Sequence, residues 1–531
     1  MNKLLSRPHD LLIIIALFFL GRGLMLFNDG VFWDDWTFFL VDDRLVFQQL
    51  LEAGCPLRGI IFVLLNHHPL LSRFITFFAF LVSGILLYKI LKTIKEITPT
   101  DQLYLVLFLL LFPLNRAMIT MTLTSHMLFH LSFYVGAFFL NLYILQKKPL
   151  HRIASLICFF LSFQTESFLV FYLVPFSLIF YHEKPFPGFP VLWKKLKRYW
   201  AFAMLPVFYW ILKQSFFKPY GSSSGYNAIC LPLLYKSPLN VIDSSYSSLF
   251  LSFIHIFHAD EGMVEPYYFY CVFTVLVVLL YLSMKNRSDD EESRQPLFKL
   301  FIFGLFAYVC SVFAYMAVRD MHFDFGNGWT CRYQIHISLA GAIILYFFFK
   351  WFVRECHFHK NVLSLLLSVI LAGFILSDIM NCAYFQRDWF KRLALVEKMK
   401  NNPDVVHHTT FIMADMNPEL DAISEKYRNR SLDYELSGVL NYAFNDDEKR
   451  MAIRSGTFET MQEEIQDPVF ANKSHYIPDR DVYVIEYAAT KKWHFKKIYS
   501  TILYRLFDQK RYKEYLDSFL TMDVYPVGSR K

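Results

Sequence analysis

Apolar runs that approach the length needed to cross a bilayer recur through the first 380 residues of this chain, and few folds can accommodate them. A hydrocarbon core about 30 Å thick takes roughly 20 apolar residues per helix. Such runs lie at 11–27, 70–88, 102–115, 127–145, 153–164, 167–181, 200–213, 267–283, 298–318, 333–350 and 361–379. Those at 102–115 and 153–164 are short, so the count of about eleven can shift by one or two. In lipid every backbone polar group must be satisfied within its own segment. The expected architecture is therefore mainly α, a polytopic transmembrane helical bundle. The first run has no small-residue cleavage site after it and is read as a retained span, not as a signal peptide.

Charge then orients the bundle. With the N-terminus cytoplasmic, the inner connections hold about twenty Lys and Arg, whereas the short outer ones hold about six. The net charge of +7 is thus a topology signal and not a nucleic-acid footprint. Charged residues make up 19% of the chain, below the roughly 25% of soluble domains, and 55% are hydrophobic, which excludes a disordered chain. The 8 cysteines form no CxxC pair and no zinc spacing; Cys55 and Cys230 both fall in outer loops, where they can pair.

The resulting domain plan is a transmembrane region over 1–380, with a first outer loop at 28–69 and a long outer loop at 213–266, followed by a soluble extracytoplasmic α/β domain over 381–531. In that last part the apolar runs shrink to strand length. Strands are expected at 409–415 and 481–488, where β-branched and aromatic residues concentrate, and helices at 389–400 and 495–519. An odd number of spans puts this domain outside. Within the long loop, 246–258 is amphipathic, suited to lying in the interface or to packing on neighbouring helices.

Four polar clusters share the outer side. FWDDW in the first loop sets Asp34 and Asp35 between Trp33 and Trp36. Tryptophan favours the interface in any case, but a carboxylate there can also take a proton from a hydroxyl or hold a divalent cation. Arg116 precedes TSHMLFH, in which His126 and His130 are spaced i, i+4 on one helix face. Without HExxH or a third ligand, the pair is better suited to lining a cavity than to binding zinc. In SFQTESF, Glu166 interrupts the apolar run between two half-length segments, and a carboxylate at membrane depth is costly unless it has a task. Arg319, His322 and Asp324 lead to GWTCRYQIH, where Arg332 and Tyr333 are expected to open a helix. An Arg at a helix N-terminus is well placed to grip a phosphate. Arg22, in the outer half of the first run, reads more simply as snorkelling to headgroups.

Together these clusters resemble the GT-C superfamily of polytopic glycosyltransferases, which includes the protein O-mannosyltransferases and the lipid A aminoarabinose transferases. The resemblance covers the membrane region by topology and rests on FWDDW, TSHMLFH, QTES and GWTCRYQIH. It implies a sugar donor carried on a polyprenyl phosphate, with a glycan, lipid or protein acceptor on the outer face. It also implies single displacement with inversion, Asp34 or Asp35 as the base, and Arg332 with Tyr333, Arg116 or Arg319 at the phosphate. Glu166, His126 and His130 would orient the donor. Members differ in metal dependence, so a divalent cation stays open. The outer domain matches no subfamily pattern. A transporter or flippase of lipid-linked glycans is the alternative, although the apolar runs are nearly free of the mid-helix charge it would need. The abundance of Phe, Ile, Lys and Tyr suits a bacterial plasma membrane.

Overall fold

The computed structural model describes residues 8–39, 41–181, 189–225, 231–258, 263–285, 296–318, 328–416, 433–444, 450–454, 481–490 and 493–529. Among them, 7 helices are long and apolar enough to cross a membrane: His9–Phe27, Pro69–Leu91, Thr122–Gln146, Pro266–Met284, Leu297–Met316, Ile337–Glu355 and Asn361–Lys400. The protein is thus an integral membrane protein. Three further expected runs form the shorter apolar helices Pro99–Leu111, Pro149–Ser162 and Phe168–Phe180. The run at 200–213 lies inside the 17-residue helix Trp200–Phe216.

We number the helices used below as α1 (Pro8–Arg22), α2 (Asp43–Glu52), α3 (Pro56–Leu65), α4 (Pro69–Leu91), α5 (Pro99–Leu111), α6 (Thr122–Gln146), α7 (Pro149–Ser162), α8 (Trp200–Phe216), α9 (Pro266–Met284), α10 (Leu297–Val318), α11 (Ile337–Glu355), α12 (Lys360–Lys400), α13 (Asp433–Phe444), α14 (Phe495–Phe507) and α15 (Gln509–Asp517). Proline stands in the first turn of α3, α4, α5, α7 and α9, where its missing N–H would have had no partner. Thr98 closes the start of α5 by accepting from Asp101 N, while Asp101 accepts from Thr98 N.

Polar contacts between helix ends set neighbouring helices in alternating directions. At one rim Tyr88, near the end of α4, donates to Asp10 at the start of α1 over 2.8 Å. There too Lys350, near the end of α11, donates to Asp101 at the start of α5 over 2.6 Å. At the other rim Asn115, after α5, donates to Ser338 at the start of α11 over 2.7 Å. Arg22 also lies at that second rim and does not snorkel. It is 3% exposed, pairs with Asp378 at 2.9 Å, and donates to the carbonyls of Leu110 and Phe112, both over 3.0 Å. It therefore satisfies carbonyls left open at the end of α5.

The helices expected at 361–379 and 389–400 are one. α12 runs unbroken for 41 residues, about 60 Å at 1.5 Å per residue, so the boundary drawn at residue 381 falls inside a helix. Its first half packs on α1, α5 and α9, and its second half on α13, α14 and α15. The second half belongs to a small α/β unit. There β1 (Thr410–Asp415) and β3 (Tyr483–Ala489) form as expected, and β2 (Met451–Arg454) and β4 (Leu520–Pro526) extend the sheet in the order β2-β1-β3-β4. The first three strands are parallel and β4 is antiparallel. The helix expected over 495–519 breaks at Asp508, whose side chain accepts from Arg511 N and starts α15. In the 246–258 segment Ser248 is buried and shares a 2.9 Å hydrogen bond with Tyr308 of α10, so this stretch packs on a helix.

Candidate functional site

The first outer loop leaves α1 and reaches Trp33, whose φ of +49° is unusual for a bulky residue. The Trp33 ring is buried edge-on against Phe385, 5.2 Å between centroids, and holds this strained turn. The two acids after it face opposite ways. Asp35 is 0% exposed and accepts from Met121 N and Thr122 N, both at 2.9 Å, at the start of α6. It is a clamp on the first turn of α6, and burial pushes its carboxyl above the usual carboxylate range despite nearby Arg73. Asp34 instead has a side chain 37% exposed. Its Oδ1 accepts from the Tyr434 hydroxyl over 3.2 Å, and its Oδ2 lies 3.9 Å from Arg332 Nη1.

Arg332 does not open α11. It lies late in a separate 3-10 helix, Gly328–Gln334, ahead of α11. Tyr333 orients it twice: Arg332 Nη2 donates to the Tyr333 hydroxyl over 2.6 Å, and the guanidinium sits 4.5 Å from the ring centre. The Tyr333 ring is 5.0 Å from that of Tyr315, whose hydroxyl donates to Ser167 over 2.8 Å. Ser167 shares a 2.7 Å contact with His336.

Ser167 belongs to the QTES turn after α7, and each of its last three residues has a partner on a different helix or turn. Thr165 meets His126 Nδ1 at 2.9 Å. Glu166 forms an ion pair with Lys213 of α8, whose side chain is 7% exposed. The costly carboxylate is therefore paired at the rim. Arg58 of α3 lies within electrostatic range of both His126 and Lys213, and Arg332 within range of His126. The Arg58 Nε–H is buried without an acceptor. Between α3 and the start of α6 lies a small hollow lined by Phe62, Asn66, Thr124 and Ser125, among others.

One expected member stands elsewhere. His130 does not line this rim; it is buried against the rings of Phe80, Tyr134 and Phe168, with Nδ1 3.2 Å from Ser83. One helical turn deeper than His126, it has passed into the packed interior. Arg116 is buried in the range of Asp378 and Cys331, and its segment, Arg116–Ile119, packs on the Gly328–Gln334 segment that carries Arg332. Arg319, His322, Asp324 and Cys230 lie outside the described residues. Among the described residues, no three His, Cys, Asp or Glu side chains gather as metal ligands would.

The sequence reading did not single out Arg58, Lys213, Ser167, Tyr315 and Tyr434. A basic residue at the outer end of an apolar helix, against the usual charge bias, was the available signal for Lys213. Nothing local marks Tyr434, which comes from α13 in the C-terminal unit. Compared with known proteins, no family model and no curated protein matches the chain.

Proposed function

We propose that the chain is a membrane glycosyltransferase of GT-C type, moving a sugar from a polyprenyl-phosphate carrier to an envelope glycan, lipid or protein. The meeting of Asp34 with Arg332 at one rim carries this reading. Their 3.9 Å separation is too long for a hydrogen bond, and both heads are partly exposed, so the pair is open to an incoming substrate. Asp34 takes the proton from the acceptor hydroxyl as that oxygen bonds to the anomeric carbon. The bond from that carbon to the phosphate oxygen breaks, leaving its electron pair on the phosphate and inverting the centre. Arg332 and Arg58 stabilise the charge that develops there. Lys213, neutralised by Glu166, holds the QTES turn, and His126 faces the same rim through Thr165.

The test uses the full chain in lipid nanodiscs. Undecaprenyl phosphate should raise the melting temperature of wild type, and Arg58→Ala should weaken that protection by roughly tenfold in concentration. A panel of polyprenyl-phosphate-linked hexoses and pentoses then reports turnover by release of the free carrier phosphate. Asp34→Asn should melt as wild type does and lose at least about a hundredfold in turnover. Full turnover by Asp34→Asn would reject the roles assigned here. Movement of labelled carrier across a vesicle wall without a covalent product would instead favour a transporter.

A further inference from the structure

The C-terminal unit is tied to the first outer loop at three points, and one of them is the exposed acid itself. Arg505 of α14 pairs with Asp29, its Nη1 donating to Oδ1 over 2.6 Å, and Trp389 of α12 donates to the same oxygen over 2.9 Å. Arg392 of α12 pairs with Glu435 of α13 at 2.7 Å and reaches the carbonyl of Val31. Tyr434, the neighbour of Glu435, donates to Asp34. At Gly438 of α13, a β-carbon would come within 2.6 Å of the Trp36 side chain, so this helix lies directly on FWDDW.

We infer that Tyr434 is a positioning residue that holds the Asp34 carboxylate, so that the C-terminal unit completes the site in the membrane region. The inference rests on the transferase reading for its consequence, but not for the contact itself. A carboxylate on a short stem has two broad rotational freedoms, which a hydrogen bond to one of its oxygens restricts. With Oδ1 held by the phenol, Oδ2 is left to face both Arg332 and an acceptor hydroxyl. The groups facing Asp34 include Tyr434 and Arg332, with Glu435 within electrostatic range through Tyr434's own helix. The anchoring of α13 through Glu435 and Arg392 keeps the phenol in place without touching the reacting atoms.

Tyr434→Phe in the full chain removes one oxygen and leaves the ring. The expected result is turnover lower by roughly tenfold to a hundredfold with donor KM within about twofold, because a misplaced base affects the chemical step and not carrier binding. A merely structural role for Tyr434 would lower the melting temperature and leave turnover per folded molecule unchanged. Unchanged turnover per folded molecule in Tyr434→Phe, alongside an inactive Asp34→Asn, would overturn this inference and leave the transferase reading standing. The contact has its own measurement. Asp34→Cys combined with Tyr434→Cys should be bridged in native membranes by a bifunctional thiol reagent about one phenol ring long, because the ring that makes the contact sets the two backbones too far apart for a direct disulfide, and failure to bridge overturns the inference whatever the enzyme's activity.

Discussion

Replacing Asp35 by Ala should cost stability more than chemistry, and replacing Asp34 should do the reverse. The Asp35 carboxylate accepts two backbone N–H groups at 2.9 Å in a site with no exposure, and both donors belong to the first turn of α6. Each orphaned, buried donor costs about 1–3 kcal/mol. Part of that loss is returned because burial already pushes this carboxyl up, so its ionised form pays for desolvation in the folded state. A net destabilisation of about 3 kcal/mol remains. For a chain of this size that is a fall of roughly 3 °C in the melting midpoint. The Asp34 contacts are partly exposed, and losing such a pair costs about 1 kcal/mol or less. The assay is tryptophan fluorescence melting of both variants in one detergent, paired with turnover per folded molecule. A midpoint for Asp35→Ala within about one degree of wild type would refute the clamp argument. So would Asp34→Ala proving the less stable of the two.

Two further outcomes follow from buried charge. Glu435 is held at the junction of α12 and α13, where burial outweighs Arg392 and pushes its carboxyl up to about 7 from an ordinary 4.5. A raised acid binds its proton more tightly when folded. Its contribution is therefore complete below pH 4.5 and lost as the pH rises through about 7. Thermal melts across that window should show the decline in wild type and a flatter profile in Glu435→Gln. Arg22→Leu takes from Asp378 its 2.9 Å ion-pair partner and leaves α5 carbonyls unbonded, a loss of about 3 kcal/mol that should appear as poor yield of folded protein. Normal yield and melting of that variant would refute the capping role of Arg22.

The candidate site was half legible in the chain. FWDDW, QTES and GWTCRYQIH each interrupt apolar sequence with polar groups, and an interruption of that kind is visible without knowing any neighbour. Their partners were not visible. Glu166 read as a costly carboxylate until Lys213 supplied its charge from α8. His126 and His130 share a helix face, but one turn of depth separates the rim from the aromatic interior, and only the packing of Phe80 and Phe168 marks that line. In the C-terminal unit β1 and β3 carry dense β-branched and aromatic residues. β2 has only 4 residues, and β4 mixes charged and apolar ones along an edge, so neither shows a pattern of its own.

Insertion in a bilayer is a property of a segment, because the transfer energy of an apolar run adds up residue by residue and needs no partner. The membrane character of the protein and the placing of its polar clusters at run ends were therefore decided by sequence alone. Which of two adjacent aspartates faces inward was not. That follows from a left-handed Trp33 backbone and from where the amides of α6 happen to lie, and both are settled only when distant helices pack together. The same holds for the continuity of α12 and for Tyr434 above Asp34. A hydrogen bond between remote positions leaves no periodic trace in either stretch of chain.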